Sequence, residues 1–139
     1  MKIITQRISQ ATKGNGDFID ITGKVAHLVQ DSRMQTGNVL VFVVGSTGAI
    51  TTFEFEPGLL ADMKDLYHHV APSGRHYYHD DTWGDANGFS HVRASLTGPS
   101  LTVPFEKGKL LLGTWQQIVL AEFDNRPRER EVIVQLMGE

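Results

Sequence analysis

The sequence contains no cysteine. Disulfide scaffolds, thiolate zinc sites, iron–sulfur clusters and cysteine nucleophiles are therefore excluded. Long apolar runs are missing too. Nothing approaches the roughly 20 residues of a membrane-spanning helix, and Met1–Arg7 turns polar without the apolar core of a signal peptide. Neither sign of charge dominates. The 13 Lys and Arg against 16 Asp and Glu give a net charge of −3, which argues against binding nucleic acid or an anionic membrane by bulk charge. The expectation is a soluble cytoplasmic protein with neither kind of partner.

What is present reads as one domain spanning residues 1–139, with 40% hydrophobic and 21% charged residues, too apolar for disorder. No repeat, linker or low-complexity tract divides it. Alternation over Lys2–Ser9 predicts a strand, and Phe18–Ile21 a short second one. Thr22 stands where a helix N-cap belongs. Val25, Leu28 and Val29 recur at helical spacing towards Met34, with Gly37-Asn38 as the stop. The unbroken apolar run Val39–Val44 predicts a strand covered on both faces. Ala49–Phe55 reads as a strand, and Pro57–Val70 as a helix with proline at its first position. Pro72–Gly88 lacks a period and is rich in His, Asp and aromatics, the pattern of a functional loop. A short helix at Ser90–Leu96 follows. Strands are then expected at Leu101–Phe105, Lys109–Gly113, Gln116–Phe123 and Glu131–Leu136. The fold class is α+β: a mixed or antiparallel, sandwich-like sheet with about three helices.

Five of the six histidines fall between His68 and His91. His68-His69 at a helix C-terminus suit the negative end of its dipole. His79, beside Asp80 and Asp81, and His91, followed by Arg93, are the candidates for chemistry, because imidazoles and carboxylates suit zinc, manganese, nickel or iron. Their spacing is not that of a tight paired-histidine motif, and a satisfied structural loop reads equally well. Gly45-Ser46-Thr47-Gly48 after the apolar run suits an anion, through freed backbone amides and two hydroxyls, or else is a bend in a strand. Arg93 suits bidentate phosphate binding. Trp115 and its neighbouring glutamines suit a cleft or a subunit contact. Arg126, Arg128 and Arg130, interleaved with acids, read as a solvated face.

Tyr78-His79-Asp80, Trp83-Gly84-Asp85-x-Asn87-Gly88, Ser90-His91-Val92-Arg93-Ala94-Ser95-Leu96, Gly98–Pro104 and Leu112-Gly113-Thr114-Trp115-Gln116-Gln117 form one ordered string. It resembles the YjbQ-like family, also called the secondary thiamine-phosphate synthase family, over nearly the whole chain. The resemblance implies a small α+β homotrimer with sites near subunit boundaries. It also implies a metal-associated pocket to which His79 and His91 correspond, with Asp85, Asn87 and Arg93 at neighbouring polar positions. The family's usual His-Thr-Thr triplet stands here as Gly45-Ser46-Thr47, leaving two histidines to be completed by a carboxylate or water.

The implied activity joins a hydroxymethylpyrimidine diphosphate to a thiazole phosphate with loss of pyrophosphate, as a secondary reaction. On that reading His79, His91 and Arg93 are catalytic, and Gly45, Ser46, Thr47, Asn87 and Trp115 bind the phosphorylated substrate. His79, His91, Asp80 and Asp85 serve a divalent metal, Mg²⁺ or a transition metal such as Zn²⁺. Two other readings stay open: a metal-dependent hydrolase of a small phosphorylated or amide substrate, and a non-catalytic trimer that binds a metal or anion.

Overall fold

Period-two alternation builds two antiparallel sheets around a shared core. The computed structural model describes all residues, 1–139. Its strands are β1 (Lys2–Ala11), β2 (Asp17–Asp20), β3 (Thr36–Val43), β4 (Gly48–Phe53), β5 (Ser100–Glu106), β6 (Lys109–Leu110), β7 (Gln117–Glu122) and β8 (Glu129–Gly138). The helices are α1 (Thr22–Asp31), α2 (Pro57–Val70), α3 (Tyr78–Trp83) and α4 (Gly88–Thr97). One sheet has five strands in the order β1-β8-β3-β5-β6, and the other has three in the order β2-β7-β4. Every pairing is antiparallel.

The core between the sheets is set by strand phase. Val39, Val41 and Val43 of β3 and Val132, Val134 and Leu136 of β8 point inward, where they meet Ile118 and Leu120 of β7 and Val25 and Val29 of α1. On its other face β7 carries Val119 and Ala121. These pack with Phe18, Tyr67, Ala94 and Phe123 in a second cluster under α2 and α4. Strand β7 is thus the layer covered on both faces, which explains its apolar run Ile118–Ala121.

The same apolar run in β3 has a different cause. Only alternate residues of β3 are inside. Phe42 and Val44 are exposed on the outer face of the five-stranded sheet, and Leu40 is half-buried. The expectation of two covered faces is corrected for the single chain: the hydrophobic pattern of β3 exceeds what one copy buries.

Other elements depart from the sequence reading for local reasons. Helix α1 starts at Thr22 rather than being capped by it. The Thr22 hydroxyl donates to Asp20 Oδ1 (2.6 Å) and accepts from the Ile118 amide (2.8 Å), tying the helix start to β7. The helix ends at Asp31, and Gly37-Asn38 lie in β3. Helix α2 starts as expected at Pro57, with the Glu56 carboxylate accepting from the amides of Gly58 and Leu59. Those two bonds hold the Glu56 carboxyl below its ordinary range. The segment read as an irregular loop contains α3, whose six residues are too few to show a period. Strand β6 is two residues, because Gly113–Gln116 is a turn closed by the Gln116 amide on Gly113 O. No helix is long and apolar enough to cross a membrane.

Leu120 is fully buried at the centre of this arrangement. Leu120→Ala is expected to lower unfolding free energy by about 2–5 kcal/mol, as cavity-forming changes in tight cores do. Urea denaturation monitored by circular dichroism measures it.

Candidate functional site

The inward phase of β7 and β8 does not stop where their apolar residues end. Along β7 it runs Ile118, Leu120, Glu122 and on to Asp124. Along β8 it runs back through Val132 to Arg130 and Arg128. The turn Asn125-Arg126-Pro127 folds one segment over the other, so two carboxylates meet two guanidiniums in matching order. Arg130 donates to both oxygens of Glu122, with Nε to Oε2 at 2.7 Å. Arg128 Nε donates to Asp124 Oδ2 at 2.7 Å. Glu122 and Asp124 are wholly buried, and Arg130 is 6% exposed. Of the three arginines expected on a solvated face, Arg126 is exposed, Arg128 is half-buried and Arg130 is inside.

Two threonines complete the network. Thr12 donates to Glu122 Oε2 (2.7 Å). Thr47 accepts from Arg130 (2.6 Å) and donates to Asp124 (3.1 Å), linking both ion pairs. Burial alone would push the Asp124 carboxyl up. Hydrogen bonds from Arg128, the Asn125 amide, Asn87 and Thr47 outweigh it and hold the carboxyl below its ordinary range.

The crossing loop from β3 to β4 lies over this network. At Gly45 the backbone has φ +131°, and an added Cβ would lie 2.7 Å from a terminal nitrogen of Arg130. Glycine here is thus fixed both by conformation and by the guanidinium beneath it. The amides of Gly45, Ser46 and Thr47 make no internal hydrogen bond. Free amides in a glycine turn beside cationic side chains form a pocket suited to anionic oxygens.

Helices α3 and α4 supply the opposite wall. Asp80 accepts from the amides of Tyr77 (3.0 Å) and Gly88 (3.1 Å), joining the start of α3 to the start of α4. The joined helices bring His79 and His91 together, with ring centres 4.2 Å apart and planes tilted by 37°. Between the helices, Gly84 and Ala86 adopt left-handed φ values of +70° and +55°. Asn87 then enters the interior, where its Nδ2 donates to Asp124 Oδ1 (3.3 Å). Its Oδ1 is buried without a partner, and so is His79 Nδ1. Burial, the main influence, and the adjacent His79 push the His91 imidazole below its usual range, while Asp124 and Asp85 act in the other direction.

The result is a polar cleft of about 310 Å³ between the Gly45–Thr47 loop, the histidine pair and the arginines, with Trp83 and Asp85 at its mouth. Of the sequence candidates, Gly45, Ser46, Thr47, His79, Asp85, Asn87 and His91 are brought together. Three are not. Asp80 holds the two helix starts together. Arg93, two positions from His91 on α4, points to the other side of the helix. There its Nε donates to Ala71 O (2.9 Å), and its guanidinium lies over Phe89 at 4.9 Å. Trp115 is exposed beyond the start of β7, at the opposite end of that strand from Glu122. Within the chain, no three His, Asp or Glu side chains converge as a metal site. The residues missed by sequence reading, Glu122, Asp124, Arg128 and Arg130, carried a signal in their period: each pair continues the inward phase of its strand.

Comparisons with known proteins agree with one another. The family model described as UPF0047 protein YjbQ-like matches residues 6–139. A UPF0047 protein of Archaeoglobus fulgidus is 42% identical over 121 residues, covering 87% of this chain and 91% of the relative. The YugU protein of Bacillus subtilis, also UPF0047, is 33% identical over 91% of this chain and 94% of its own. Among solved structures, a YbjQ-like protein of unknown function from Sulfolobus solfataricus superimposes with a TM-score of 0.88. It is 30% identical, over 99% of this chain and all of that one. A conserved hypothetical protein from Thermus thermophilus gives 0.81 at 37% identity, over 95% of this chain and 99% of that one.

The environment of His91 has a consequence for stability. Its folded value lies below its unfolded value, so the unfolded chain binds the proton more readily. Stability is then full above about pH 6.5 and falls as pH drops through that value. His91→Gln is expected to flatten the fall in unfolding free energy between about pH 7 and pH 5. Urea titrations at several pH values measure the slope, and equal slopes in both proteins would contradict it.

Proposed function

The chain belongs to the UPF0047 YjbQ-like family, and from the cleft around His79 and His91 we propose that it is an enzyme acting on a small phosphorylated substrate. The observation that carries this reading is the pair of buried, unpartnered polar atoms, the ring nitrogen His79 Nδ1 and the acceptor Asn87 Oδ1, in a cleft that also offers free amides and a guanidinium. Buried polar atoms in native proteins nearly always have a partner, protein, water or ligand, so two orphans in one cleft are what a bound polar molecule would satisfy. The free amides of Gly45, Ser46 and Thr47 and the Arg128 guanidinium bind phosphate oxygens. Asn87 Oδ1 accepts from an amine or hydroxyl of the organic part, and Trp83 offers a ring face at the mouth.

The reaction we assign is that of a secondary thiamine-phosphate synthase. The thiazole nitrogen attacks the methylene carbon of hydroxymethylpyrimidine diphosphate, the C–O bond breaks, and pyrophosphate leaves with the bonding pair. The substrate supplies its own nucleophile, so the residues orient two reactants and stabilise a leaving anion. A divalent cation would add charge neutralisation at the departing pyrophosphate. The two imidazoles, with ring centres 4.2 Å apart, and Asp85 beside them would suit a transition metal such as Zn²⁺ better than Mg²⁺, which takes oxygen ligands, and substrate oxygens or water would have to complete either site. Asp80 and Arg93 are not assigned roles in this cleft.

A homotrimer is part of the same proposal. The uncovered outer residues Phe42, Val44 and Met137, with half-buried Leu40 and Ile133, form an apolar surface of the kind that subunit contacts cover. Light scattering is expected to give three times the 15.4 kDa chain mass. Phe42→Asp is expected to shift it toward the monomer, and a wild-type monomer would remove the assembly.

The catalytic test is product formation from the two purified precursors with Mg²⁺. His79→Ala and His91→Ala are expected to lower turnover by about 10²-fold or more, with circular dichroism unchanged. His27→Ala, on the exposed side of α1, is expected to leave it intact. Absence of product with wild type, or equal turnover in all variants, overturns the assignment.

A further inference from the structure

Arg93 is 8% exposed and has no carboxylate within ion-pairing distance. Its one hydrogen bond is from Nε to Ala71 O. The Phe89 ring lies under its guanidinium, which leaves the planar edge with the terminal N–H groups uncommitted. A buried charge without a counter-ion is costly enough that native structures supply a partner. Arg93 lines a cavity of about 270 Å³ that His91 does not line.

The rest of the cavity is consistent in character. Phe18, Tyr67 and Phe123 give it an aromatic wall, with the Tyr67 and Phe123 rings 4.5 Å apart at their centres. Lys64 and His68 of α2 stand in its lining, and no carboxylate does. Its size is at the small end of ligand pockets, suited to one ring rather than a dinucleotide.

We propose that this cavity is a second binding site, for a small anion with a planar apolar body, an aryl carboxylate or an aryl phosphate. The anionic head takes the two-pronged edge of Arg93 with Lys64 beside it, and the ring enters among the aromatic side chains. The site is separated from the His79–His91 cleft by α4 and does not depend on the reaction assigned there.

The test is an NMR titration of the isotopically labelled protein with benzoate, phenyl phosphate and inorganic phosphate. One aryl anion is expected to give saturable shifts at the Gly16, Lys64 and His68 amides and at the Arg93 Nε–H. The tighter of the two identifies the head group. Inorganic phosphate is expected to bind there at least tenfold more weakly. Lys64→Glu, an exposed change that leaves Arg93 and its packing in place, is expected to weaken the aryl anion at least tenfold. The proposal is overturned if neither aryl anion gives saturable shifts there, or if the shifts are confined to Ser46, Thr47, His79 and His91. Inorganic phosphate binding equally well, or Lys64→Glu binding as wild type does, overturns it too.

Discussion

Glu122 and Arg130 face each other inside the sandwich, and neither charge is tolerable there without the other. Removing two ions from water is expensive, and their attraction offsets it only when the geometry is good and the remaining hydrogen-bonding positions are filled. Here they are filled: Thr12 and Thr47 reach the pair, and the Asp124 amide donates to the same Glu122 carboxylate. The Asp124–Arg128 pair extends the arrangement by one step of the strand period. The ladder closes the corner where β7 leaves one sheet and β8 enters the other, a place an apolar core would leave open to water. It also decides what can stand above it, since Arg130 lies beneath Gly45 and leaves no room for a side chain.

That constraint gives a physical account of the glycine at position 45, where the family resemblance implies a histidine. A histidine at position 45 would need both an unfavourable backbone conformation and the space of the Arg130 guanidinium. The loop instead presents bare amides, so the cleft has two imidazoles on one wall and a turn with unpaired N–H groups on the other. Helix α4 divides the surroundings. His91 looks toward this cleft, while Phe89 and Arg93 belong to the opposite side, and Ala94 packs on β7's outer layer. One ten-residue helix therefore presents His91 to the cleft on one face and a buried cation on another.

Much of the fold was legible because its periods are strong. The strands Lys2–Ala11, Asp17–Asp20 and Glu129–Gly138 and the helix Pro57–Val70 follow alternation, turn residues and a proline start. Helix α3 is hidden because six residues cannot display a helical stripe and because its anchor, Asp80, acts through backbone amides eleven residues apart in sequence. His79, His91 and the Gly45–Gly48 segment stand out in the sequence by residue type, but their spacing does not show that the two rings meet. Arg93 was misassigned by sequence proximity: two positions on a helix point to different sides. Interleaved charges usually mark solvent, and Arg126 is exposed as that pattern implies, but the inward phase of the strand buries Arg130 and half-buries Arg128 while Glu129 and Glu131 stay outside.

The central claim is that the Glu122–Arg130 pair holds the corner on which the cleft is built. A double-mutant cycle on unfolding free energy tests it most directly, with Glu122→Gln, Arg130→Met and the two combined. Each single change strands a polar or charged partner in the interior and is expected to cost about 3–5 kcal/mol. The double variant strands no charge, so its loss should fall well short of the sum. Additive losses, or single losses below about 1 kcal/mol of the size seen for exposed pairs, would contradict the account.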